Sequence, residues 1–185
     1  MKMRVLGAVL CLTLVSFSAQ AGKRKIAAAD WTPAVGDDVK YSIYEEQQSG
    51  NGVSTGTLEK QITKVSGGLI TLQITTTITP YGGKDATTTK EVVVSSEELG
   101  SGSIMVHDCK QPTTIPVSIQ TDGAGTFDAC MMSPDQGKDI DGDPAAFTTF
   151  LGLVPFSTVR QDSVKASNGN HVRLLLKQIT LGSAK

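Results

Sequence analysis

Histidine and aromatic residues are scarce: the chain carries two histidines, one tryptophan and 5% aromatics overall. So few imidazoles narrow the room for general-base catalysis and for zinc, where histidine is the usual group. Positive charge is not clustered beyond Lys23-Arg24-Lys25, whereas nucleic-acid binding calls for a basic stripe. That short run reads as a solvated tail. The signal-like apolar run, Val5–Phe17, is 13 residues long, short of the roughly 20 that span a bilayer as a helix. No Gly-x-Ser-x-Gly elbow exists, since Gly100-Ser101-Gly102-Ser103 has the wrong spacing. Phosphate-loop and dinucleotide fingerprints are missing as well, and no cofactor is expected.

What is present begins with an export pattern. Lys2 and Arg4 precede the apolar run, and Ser18-Ala19-Gln20-Ala21 ends in the small-x-small signature of signal-peptidase cleavage. Ala27-Ala28-Ala29 offers a second cleavage site, and Ala21 is favoured. Cys11 follows Leu10, too large a residue for a lipobox, so lipidation is not expected. The division is therefore a signal peptide over 1–21, a tail and entry segment over 22–36, and one β domain over 37–182. Loss of Lys2 and Arg4 with the signal takes the formal net charge from −1 to −3. The remaining 164 residues suffice for a single core. Once Cys11 is gone, Cys109 and Cys130 form an even pair in an exported chain, which reads as a disulfide.

Period two dominates the pattern. In Leu69–Thr79, Ile70, Leu72, Ile74 and Ile78 share one face, and Thr71, Gln73, Thr75 and Thr77 the other. Val39, Tyr41 and Ile43 alternate likewise, and Val53–Val65 returns after Ser49-Gly50-Asn51-Gly52. Val65 falls out of phase with Leu58 and Ile62, which predicts a bulge. Thr87–Val94, Ile104–Val106, Ile115–Ile119 and Thr126–Met132 are further strands, and Ser133–Asp143 is a polar loop. Asp143-Pro144 resembles an N-cap followed by proline at the first helical position, predicting a short helix over Ala145–Leu151. A long final hairpin runs from Leu153 to Ala166 and returns as His171–Thr180. About nine sequentially paired strands twist enough to curl. The fold class is all-β: one antiparallel, strongly curved sheet forming an open half-barrel with one short helix. A two-sheet sandwich is the alternative. The residues Ile70, Leu72, Ile74, Phe127 and Leu174 are expected in the core.

Gly125-Thr126-Phe127-Asp128-Ala129 resembles the Gly-Thr-Phe hairpin of small periplasmic and secreted bacterial β proteins of unknown function. Gly152-Leu153-Val154-Pro155-Phe156-Ser157-Thr158-Val159 resembles their later Gly-x-Val-Pro-Phe strand. The likeness covers residues 104–180. Trp31-Thr32-Pro33 and Val35-Gly36-Asp37 are similar to the entry of the first strand in such proteins. Asp122-Gly123 departs from the pattern, where a proline precedes the turn. The resemblance implies an open half-barrel similar to periplasmic carriers of lipids or lipoproteins. That is analogy of fold, which does not fix function.

Candidate chemistry is sparse. His107, Asp108 and Cys109 are adjacent, so on a strand they alternate faces and cannot converge on a metal. Asp139, Asp141 and Asp143 alternate carboxylates in a calcium-like manner, but Gly142 comes one step early and Phe150 stands where a bidentate glutamate belongs. No metal is expected there. Met131-Met132 beside Cys130 suits soft metals, yet core packing is preferred. Trp31 and Tyr41 suit either a ligand surface or an anchor for the first strand. Three classes follow. The first is an exported, periplasmic or extracellular, non-enzymatic protein binding an apolar small molecule, lipid or lipid-bearing partner, with Phe147, Phe150, Leu151, Leu153 and Phe156 as a lid at its mouth. The second is a structural or interaction protein with a filled core. The third, ranked last, is a hydrolase with an unrecognised site.

Overall fold

The computed structural model describes residues 31–50, 52–99, 109, 115–132, 135–138 and 142–182. The strands are β1 (Asp38–Glu46), β2 (Val53–Ser66), β3 (Leu69–Thr79), β4 (Ala86–Ser95), β5 (Ile115–Gln120), β6 (Thr126–Met131), β7 (Asp135–Lys138), β8 (Pro144–Gly152), β9 (Thr158–Lys165) and β10 (His171–Thr180). They form one ten-stranded antiparallel sheet, ordered β4-β3-β2-β1-β10-β9-β8-β6-β5, with β7 also on β8. β4 and β5 are consecutive in the chain yet occupy opposite ends of this order, and they do not pair. The sheet is open, and a two-sheet sandwich is not what forms.

Its curvature follows from one turn. β5 lies four places from β10 in strand order, roughly 19 Å in a flat sheet at 4.8 Å per strand. Even so, in the β5–β6 turn the Asp122 N–H donates to the Leu176 carbonyl at 2.9 Å. The Asp122 carboxylate accepts from the Ser42 and Tyr44 hydroxyls. Only a strongly curled sheet brings these groups together. Gly123 and Gly125, at φ of 122° and 110°, supply backbone conformations this turn needs.

Alternation assigns the faces. Tyr41 opposes Leu58 on β2 and Leu176 on β10, and Ile43 opposes Leu174. Val39, Tyr41, Ile43, Leu58, Ile62, Ile70, Leu72, Val172, Leu174 and Leu176 are all buried on this apolar face. On the opposite face of β3 and β4, Thr75 bonds Thr89 and Thr77 bonds Thr87 across the ladder, as suits a water-facing surface. The register slips between Ile62 and Lys64, the bulge that the phase of Val65 predicts. Of the expected core, Ile70, Leu72 and Leu174 are buried and Ile74 half-buried. Phe127, half-buried, pairs with Ile119 on β5 and packs against the same core cluster.

Three expectations are corrected. Residues Ala145–Leu151 are not a helix; they lie within β8, flanked by β9 on one side and by β6 and β7 on the other. Thr148 and Thr149 favour extended backbone, and an isolated seven-residue helix is marginal. Pairing on both edges wins, with Pro144 tolerated at the strand's first position. The short helical turn occupies residues 96–99 instead. There the Glu98 N–H donates to Ser95 Oγ at 3.1 Å, and the Ser95 N–H donates to the Glu98 carboxylate at 2.9 Å, a reciprocal cap. The polar loop expected over Ser133–Asp143 contains β7, which resumes the β6 edge of β8 one residue out of step. Lastly, Leu153–Ser157 is a turn, and β9 starts only at Thr158.

Candidate functional site

The apolar phase of β2 reads Leu58-Lys60-Ile62, so a lysine stands where alternation asks for an aliphatic residue. Lys60 opposes Val39 on β1 and Ile74 on β3. Its Nζ lies 5.6 Å from the Tyr41 ring centroid and 6.0 Å from that of Phe156, within or at the reach of cation–π attraction. Phe156 arrives from the β8–β9 turn, which is closed by Gly152 N donating to Ser157 O at 2.7 Å and Ser157 N to Val154 O at 2.9 Å. Phe156 and Ser157 both take left-handed backbone, φ of 62° and 58°, a conformation that costs L-residues about 1–2 kcal/mol each. The Phe156 ring rests on Trp31, with centroids 5.6 Å apart, and the Trp31 indole N–H donates to Asp37 at 2.9 Å.

The electrostatics of this patch are unbalanced. Other lysines find carboxylates: Lys40 meets Glu59 at 3.2 Å, and buried Lys165 meets Glu45 at 3.1 Å. Among the described residues no carboxylate pairs with Lys60. Burial lowers its pKa, and the charge of Lys90 lowers it further. Lys90 opposes Ile74 from β4, so Lys60, Ile74 and Lys90 form one row on the apolar face. The Tyr41 hydroxyl is buried without a hydrogen-bond partner, and burial raises its pKa. An orphaned hydroxyl of this kind costs about 1–3 kcal/mol.

The five residues expected as a lid do not share one surface. Phe147 opposes Ser163, whereas Phe150 opposes Arg160 on the other face, with the Arg160 guanidinium 5.0 Å from its centroid. Phe150 and Phe156 are buried; Phe147, Leu151 and Leu153 are half-buried. Phe156 reaches the Lys60 row, its ring centroid lying 6.0 Å from Nζ. Cys109 and Cys130 are joined, with Cα atoms 5.4 Å apart, and Leu153 lines the hollow beside them. Asp139, Asp141, His107, Asp108 and the strand expected at Ile104–Val106 lie outside the described residues. Asp143 accepts from Ser167 Oγ at 3.4 Å. No group of three His, Cys, Asp or Glu side chains fit for a metal occurs among the described residues. Of Met131 and Met132, the former packs against the core. Lys60 escapes sequence reasoning, although a charged residue inside an apolar period-two phase is the signal that marks it.

A second hollow, of about 440 Å³, lies mainly on the opposite face, lined by Tyr44, Val53, Ala146, His171 and Arg173 among others. Two of its charges are paired, Asp162 holding Arg173 at 3.0 Å and also pairing with Arg160, which does not line the hollow; Glu46 and His171 line it as well. The unbalanced row around Lys60 is therefore the stronger candidate. No helix among the described residues is long and apolar enough to cross a membrane.

No protein-family model and no curated protein matches the sequence. Among solved structures, the chain is similar to a protein described as exported, with a YmcC-like fold, from Bacteroides fragilis NCTC 9343. Identity is 10% over 82% of this chain and 98% of that one, with a TM-score of 0.43. A protein described as a lipoprotein, from Parabacteroides distasonis ATCC 8503, matches at 12% identity over 80% of this chain and 96% of that one, TM-score 0.42. A LolA superfamily protein from Nitrosomonas europaea matches at 7% identity over 86% of this chain and 92% of that one, TM-score 0.27. Similarity of this order bears on neither activity nor ligand, which rest on the chain's own geometry.

Proposed function

We propose that this is an exported, non-enzymatic protein that holds an apolar ligand, or the lipid-bearing part of a partner, against the apolar face of its curved sheet. The observation that carries the reading is a gradient of burial. On β3, Ile70 is 1% and Leu72 5% exposed, while Ile74 and Ile78 on the same face are only half-buried. Val92 and Val94 on the edge strand β4, opposite Leu72 and Ile70, are half-buried too. The aliphatic stripe thus outruns its cover, while Leu99 after the helical turn packs against the core. The groups gathered there are aliphatic chains, aromatic rings and an ammonium, which suit binding rather than bond-making.

A second reading is an interaction protein with a filled core. It is favoured by the centre of the sheet, where Val39, Ile62 and Leu176 are 0% exposed. Titration with a fluorescent fatty-acyl probe separates the two. The carrier reading expects saturable binding that unlabelled lipid competes away and that Ile74→Asp abolishes. Wild-type protein that binds no such probe would leave the filled-core reading standing.

A further inference from the structure

We infer that Lys60 and Lys90, with the Tyr41 hydroxyl, form a subsite on the apolar face for the carboxylate of a long-chain fatty acid. The inference rests on the carrier reading and names its ligand class. Three observations carry it. Lys60 and Lys90 flank Ile74 in one cross-strand row, and among the described residues neither has a carboxylate partner. Tyr41, 1% exposed on the same face, keeps a hydroxyl with no partner. Aliphatic side chains continue the face away from the row: Leu72 and Val92 lie one pair along, Ile70 and Val94 the next.

An unpaired, partly desolvated cation beside an unsatisfied hydroxyl is costly in the empty protein. An acid head group would relieve both at once, with the ammonium donating to one carboxylate oxygen and the phenol to another. The apolar chain would then lie over the half-buried Ile74 of β3 and Val92 and Val94 of β4, with Leu72 and Ile70 buried beneath that edge. Cation–π contact with Tyr41 and Phe156 holds the Lys60 ammonium in place meanwhile. A carboxylate is preferred to a phosphate monoester because Lys60 is the one partly buried ammonium of the pair, whereas Lys90 is exposed and its charge is screened by solvent, so the row compensates a single negative charge better than nearly two.

The test uses the exported protein with three single-chain probes: palmitate, methyl palmitate and lysophosphatidate. Binding is followed by tryptophan quenching and by competition with a fluorescent fatty acid. Palmitate should bind at least ~10-fold more tightly than its methyl ester. Lys60→Met keeps an apolar stem and should erase that preference, leaving ester affinity and melting temperature no lower than in the parent. Lys90→Gln should weaken palmitate by a smaller factor. Equal affinity for acid and ester overturns the subsite while leaving the carrier reading intact. Binding of neither overturns both. Lysophosphatidate binding ~10-fold better than palmitate overturns the carboxylate assignment in favour of phosphate.

Discussion

The carboxylate of Asp37 accepts a hydrogen bond from the backbone N–H of Gly182 at 2.8 Å, tying the entry to β1 to the exit from β10. The same carboxylate accepts from the Trp31 indole and from the Ala34 N–H, each at 2.9 Å, and Asp37 is fully buried. Gly182 is required by the closeness of approach, since a Cβ there would sit 2.1 Å from the Val35 carbonyl oxygen. Asp37→Ala strands three donors and should cost about 3 kcal/mol in urea unfolding. A loss below about 1 kcal/mol would show that the clasp is not holding the two ends.

The bridge between Cys109 and Cys130 ties residue 109, in the connection between the two sheet edges, to β6. Non-reducing peptide mapping of exported protein should recover this pair alone. Replacing both cysteines by alanine should cost about 3 kcal/mol for a loop of this size. Two free thiols in the exported protein would contradict the pairing.

Phe147 and Phe150 separate stability from ligand contact because they lie on different faces of β8. Phe150→Ala removes a buried ring that packs with Ile119 and Ala129, and should cost about 3–5 kcal/mol. Phe147→Ala, at a half-buried ring, should cost clearly less. Urea titration of the two variants checks the order; the reverse order would mean the face assignment of β8 is wrong.

Asp38 predicts a pH effect. Burial, and after it the neighbouring Glu59 carboxylate, raises its pKa from 3.8 to about 6. An acid whose folded pKa is raised holds its proton more tightly when folded, so this group's contribution to stability falls as pH rises from about 4 to about 6. Asp38→Asn should remove that decline, and at pH 7.5 should melt no lower than the parent. A variant that keeps the parent's full pH slope over that range would assign the effect to another group.

Much of this fold is legible in the chain because period two is unusually clean. Leu69–Thr79 and His171–Thr180 form strands over those same residues, and the bulge near Val65 follows from its phase. β7 escapes notice because Asp-Gln-Gly-Lys carries no alternation at all; it is a strand only because β8 offers it an edge. β8 deceives in the other direction. Asp143-Pro144-Ala145-Ala146 carries local helix-start features, and non-local pairing overrides them. The Ser95–Glu98 cap, by contrast, is a local signal that could have placed the helical turn. The Lys60 row shows both limits. Its lysine stands out in the apolar phase of β2, but its lack of a partner depends on which strands lie alongside.

Mass spectrometry of material extracted from natively purified, exported protein tests the central claim most directly. The account predicts a stoichiometric, single-chain apolar acid that co-purifies with the parent and is depleted at least ~10-fold in Lys60→Met. Parent protein that carries no apolar compound, and that binds none when palmitate is supplied, would contradict it.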